Sequence, residues 1–133
     1  MPNTQPIGVA FADPEFTTMY ASQDIGYASG AQSTVTQATS KSTGVTLNKS
    51  AGQITMDAAS LAATTNVTFT LTNSVLSAKD VLILNVSGAA TAGAYNCWVS
   101  SMGTGSATVT VRNISGGSLS EAVVLNFVII HCA

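Results

Sequence analysis

One run near the end of the chain, residues 121–131 (EAVVLNFVIIH), limits the folds open to the rest. It is the longest stretch rich in β-branched and large apolar residues, with no Gly or Pro inside it. Such side chains are stiff at χ1 and pack well on a pleated surface, so the run reads as a strand. Successive side chains of a strand point to opposite faces. Val123, Leu125, Phe127 and Ile129 therefore share one face, and Val124, Val128 and Ile130 share the other. A strand that is apolar on both faces must be covered on both, by its own fold or by another subunit. Burying one such side chain is worth about 1.5–3 kcal/mol, so neither face is readily left wet.

The rest of the chain supplies partners with the same period. Val45 and Leu47 alternate with Thr46 and Asn48, and Ile54 and Met56 with Gln53 and Thr55. Residues 66–72 (NVTFTLT) place Val67, Phe69 and Leu71 inward and Thr outward, and residues 106–112 (SATVTVR) repeat the pattern through Val109 and Val111. Residues 80–86 are nearly continuously apolar, and 94–100 (AYNCWVS) read as a further strand. Gly, Asn, Ser and Ala clusters at 49–52, 73–79, 87–93, 101–105 and 113–120 read as turns and loops. Residues 34–39 are a weaker edge strand. Only 57–63 (DAASLAA) has a helical composition, with Asp57 as N-cap. Short, evenly spaced strands without long helices predict an all-β fold, an antiparallel β-sandwich or jelly roll. The other strands can cover one face of 121–131 through these inward apolar residues, but their own opposite faces are mostly Thr and cannot cover much more. The second face of 121–131 therefore needs either an opposing sheet containing residues 81–86 or a second subunit.

Residues 1–24 differ from this body. All three prolines, Pro2, Pro6 and Pro14, fall there and disfavour a sheet interior. Ile7, Val9, Phe11, Phe16, Met19 and Tyr20 make the segment too apolar for a free linker. The expected organisation is an extended N-terminal arm and hinge over residues 1–30, then one β domain over 31–133.

Charged residues are 8% of the chain, against roughly 25% in an ordinary soluble domain. The surface must be built from Ser, Thr, Asn, Gln and Gly, and repels copies of itself only weakly. Lys41, Lys49, Lys79 and Arg112 are scattered, so there is no basic patch and no nucleic-acid partner is expected. No apolar run reaches the ~20 residues that span a bilayer, and the first residues lack the pattern of a secretory signal. In that setting Cys97 and Cys132 read as free thiols.

Chemistry is sparse. The single His, His131, neighbours Cys132, but a closed zinc site needs about four ligands and only Cys97 and scattered carboxylates remain. No nucleophile elbow accompanies His131. Asp57, Asp80 and Glu121 fit a cap and two strand starts better than a hydrolytic pair. Gly103-Thr104-Gly105 and Gly116-Gly117 precede no helix and are turns. The expectation is a chain with no catalytic residue, metal or cofactor. Tyr95 and Trp98 sit in one strand with opposite faces, and read as core or interface residues. Tyr95, Trp98, Val124, Val128 and Ile130 are therefore the candidate oligomer interface, and the six apolar arm residues the candidate docking segment.

Residues 34–49 (TVTQATSKSTGVTLNK), 52–56 (GQITM), 112–124 (RNISGGSLSEAVV) and 5–11 (QPIGVAF) resemble a group of small structural proteins of tailed bacteriophages. The resemblance covers most of the chain, implies a virion component and brings no catalytic residues with it. With the arm and the missing charges, it leads to the expectation of a capsid cement (decoration) protein. Such a protein is made in the host cytoplasm and sits on the capsid surface. Its partners are the major capsid protein and copies of itself, a trimer being favoured over a dimer. The rival expectation is a head-fibre or tail-fibre receptor-binding domain that recognises host glycan through exposed aromatics.

Overall fold

The computed structural model describes residues 17–132. A 3₁₀ turn at Ser29–Ala31 leads into eight strands: β1 (Gln32–Thr36), β2 (Val45–Thr46), β3 (Ala51–Thr55), β4 (Asn66–Thr72), β5 (Val81–Gly88), β6 (Tyr95–Gly103), β7 (Ser106–Asn113) and β8 (Val124–Ile130). They form two four-stranded sheets, β1-β3-β8-β5 and β2-β4-β7-β6. The fold is all-β, as the period-two pattern predicts.

The sheets are mixed rather than purely antiparallel. β1 runs parallel to β3 and β2 parallel to β4, while the other pairs are antiparallel. Parallel pairing needs a crossover, and the crossovers here pass between the sheets. The chain leaves β1, visits β2 in the other sheet and returns to β3.

The sheets meet face to face over one apolar core. Ile54, Leu125, Phe127, Ile129 and Leu82 come from the first sheet, and Val45, Phe69, Leu71, Val109 and Val111 from the second. The second sheet's outer face is Thr-rich, with Thr68 and Thr110 hydroxyls bonded across β4 and β7.

Three further expectations change. Residues 57–63 form no helix. The Asp57 carboxylate does accept from the Ala59 N–H at 2.7 Å, but the chain then extends, and Leu61 bridges Leu119. One or two turns are too few to offset helix nucleation, so pairing with residue 119 prevails. Residues 81–86 belong not to the opposing sheet but to the same one. β5 pairs directly with β8, Val81 opposite Ile130 and Ile83 opposite Val128. Both strands are apolar on both faces, and pairing them side by side satisfies their backbone while leaving a shared outer face to be covered. In addition, residues 51 and 52, expected in a turn, open β3, and the turn is confined to 49–50.

Candidate interaction surface

The alternation in β8 is resolved by the sheet. Val123, Leu125 and Ile129 are 0% exposed and Phe127 4%, all pointing into the core. Val124 and Val128 are half-buried and Ile130 is 50% exposed, all on the outer face. β5 adds Val81 and Ile83 to that face, 48% and 46% exposed. Register makes these four a compact block: Val81 beside Ile130, Ile83 beside Val128. The block ends at a polar row, where Asn85 pairs with Asn126, and Gln53 donates to Asn126 Oδ1 at 3.0 Å.

The arm enters on this face. The Tyr27 hydroxyl donates to the Ile129 carbonyl, Gln32 Nε2 donates to the Tyr27 carbonyl at 2.7 Å, and Lys49 Nζ donates to the Gly30 carbonyl at 2.8 Å. Ile25 and Tyr27 flank Val128, Ile130 and His131 around a groove of about 540 Å³. Upstream, every residue from 17 to 26 is exposed, including Met19 at 62%, Tyr20 at 91% and Ile25 at 75%. Removing the exposed half of a Val or Ile from water is worth about 1 kcal/mol, so the uncovered face and arm together represent several such contributions. Its contiguous exposed apolar side chains make this face the candidate interaction surface.

Polar clusters stabilise the two ends of this face. At one end Asp80, its side chain 1% exposed, receives Ser77 N–H and Oγ–H at 2.8 Å each, Cys132 N–H at 3.2 Å, and lies 2.9 Å from His131 Nδ1. These bonds, led by the Ser77 N–H, hold its carboxyl down at about 2. They tie the end of β8 to the start of β5. At the other end Glu121 accepts from Thr91 Oγ1–H at 2.7 Å and Thr91 N–H at 3.1 Å, which lowers its pKa. Lys41, 3% exposed, reaches the backbone carbonyls of Asp57 and Glu121. Burial lowers its pKa, opposed by the charges of Asp57 and Glu121. Burial, and then Glu121, push the Tyr95 hydroxyl up to about 12. That hydroxyl meets no partner at ordinary hydrogen-bond geometry, although Glu121 is near enough to affect it.

The sequence candidates separate accordingly. Val124, Val128 and Ile130 share the outer face of the first sheet. Trp98 is on the outer face of the second, 37% exposed, opposite Thr110. Tyr95 packs against the core, on the other side of β6 from Trp98. Met19 and Tyr20 lie on the exposed arm, and Ile7, Val9, Phe11 and Phe16 fall outside the described residues. Sequence reasoning missed Val81, Ile83, Ile25 and Tyr27 as members of the surface. The signal was present in the apolar positions on both faces of 81–86. Cys97, half-buried with its thiol pushed up by burial, and Cys132, exposed, are free. Among the described residues there is no group of three or more His, Cys, Asp or Glu that could hold a metal, and no helix long and apolar enough to cross a membrane. No family model, curated protein or solved structure matches the chain.

Proposed function

We propose that this chain is a structural virion protein of the capsid cement type, a jelly-roll-like β-sandwich that oligomerises and stabilises a phage head by binding the major capsid protein. The reading makes it a binding protein and not an enzyme. The observation that carries it is the apolar outer face of β5 and β8 adjoining an exposed, apolar arm. A monomer working alone gains nothing from either feature, whereas a subunit held by neighbours uses both. An 8% charge content supports the same reading, because dense packing of copies brings little repulsion. Linked weak contacts from arm and body gain avidity on a repeating shell.

Purified particles of the phage encoding the chain provide the test. Copy numbers comparable with the major shell protein, located on the head, are expected. A few copies at a fibre tip overturn the cement reading. Particles assembled without the protein should regain head stability when the full chain is added, and lose that rescue when residues 1–24 are removed. The fibre reading draws on Trp98, exposed on the Thr-rich face of the second sheet. Tyr95, turned into the core, cannot join it in a sugar platform. Saccharide binding lost in Trp98→Ala is the result that would favour that alternative.

A further inference from the structure

The block of Val81, Ile83, Val128 and Ile130 has a definite shape. It is two strands wide and two outward positions long, closed at one end by Asn85 and Asn126 and open at the other toward the Ile25–Tyr27 groove. A rigid interface between two such blocks is far smaller than the roughly 800 Å² per partner of a stable complex. An extended segment laid along it fits better. We propose that this face receives residues 7–11 (IGVAF) of the arm of a second copy, so that neighbouring subunits are joined by arm exchange.

The segment matches the face in period and polarity. Ile7, Val9 and Phe11 alternate with the small Gly8 and Ala10, so an extended chain presents three apolar side chains on one side. They recur every ~6.6 Å, the same step that separates Val81 from Ile83 and Val128 from Ile130. No charged side chain precedes Asp13, so seating the segment desolvates none. The third side chain extends past the block toward the groove of about 540 Å³.

The arrangement of the arm favours a second copy over the same one. Residues 17–26 are all exposed and, among the described residues, make no hydrogen bond. The eight residues 17–24 can span up to ~26 Å, nearly the width of a domain this size. Met19, Tyr20 and Ile25 stay uncovered by their own body, which a return of the arm onto its own sheet would be expected to bury. The inference rests on the assembly part of the function proposed above, not on the capsid, and is tested in the free protein.

The test uses full-length chain carrying Cys132→Ser. Tagged Val9→Cys protein is mixed with untagged Ile83→Cys protein and oxidised. The expected product is a covalent tagged–untagged dimer, well above the yield with Thr70→Cys, on the other sheet, in place of Ile83→Cys. A bond formed only within a single chain carrying both Val9→Cys and Ile83→Cys overturns exchange in favour of a folded-back arm. No bond above the control overturns the docking site altogether. In parallel, Ile83→Asp, at an exposed position, should leave the subunit folded, as read by circular dichroism, yet lose the oligomer. An oligomer undiminished in that variant contradicts the proposal. Either failure leaves capsid binding by the full chain to be judged separately.

Discussion

Lys41 is the residue whose role the sequence hides most completely. As one of only four basic residues it reads as a surface charge, yet it is 3% exposed and joins the segment after β3 to the segment before β8 through the Asp57 and Glu121 carbonyls. Gln37, also 3% exposed, completes the same site by donating to the Lys41 and Thr43 carbonyls and accepting from Asp57 N–H. Both substitute for ladder bonds that the loops cannot make. Lys41→Met keeps the volume but leaves carbonyls unpaired. It should lower unfolding free energy by about 1–3 kcal/mol in urea titrations. Asp80 carries a pH dependence. Its folded-state pKa, near 2, lies below its ordinary value of 3.8. The stability it contributes is therefore complete above about pH 4 and lost as pH falls toward 2. Asp80→Asn should flatten stability across that window, and an unchanged acid limb would contradict the assignment. Thr64 holds a positive φ of 56°, unfavourable for a β-branched residue. Thr64→Gly should raise stability by up to about 1 kcal/mol, read as a higher melting temperature.

At the scale of elements, the alternation in β8 was legible residue by residue, because a half-buried strand writes its two faces into the sequence with period two. Inner and outer positions should respond differently to the same change. Ile129→Ala should cost about 2–5 kcal/mol through a core cavity. Val128→Ala, one residue earlier, should barely alter the stability of the isolated subunit and should weaken its association. β3 shows what periodicity could not reveal. Gly52 reads as a turn glycine, yet it faces inward between β1 and β8, where a Cβ would lie 2.7 Å from both the Ser33 carbonyl oxygen and Leu47 Cδ2. The parallel β1–β3 approach depends on that missing side chain. Gly52→Ala should cost about 1–3 kcal/mol by overpacking against backbone that cannot yield. The segment 57–63 misled for a complementary reason: Ala content and a capping Asp favour a helix locally, and long-range pairing of Leu61 with Leu119 decides otherwise.

For the whole molecule, the all-β class followed from strand spacing, but sheet membership did not. Nothing in residues 81–86 says whether they lie across the core from β8 or beside it, since both placements bury apolar side chains. The difference decides the function proposed. Across the core, the strand would have closed the second face of β8; beside it, β5 adds Val81 and Ile83 to the uncovered face instead. The arm was legible as apolar and proline-bearing, and its anchor at Tyr27 was not, because a single hydroxyl-to-carbonyl bond across 102 residues leaves no pattern in the sequence. Uncovered face, exposed arm and scarce charge are the observations on which the proposed assembly rests. The mass of the native full-length chain in solution, measured by sedimentation, tests this most directly. The account predicts a particle of two or more 13.4 kDa chains, with three copies expected. A stable, soluble monomer, its β5–β8 face left in water, would contradict it.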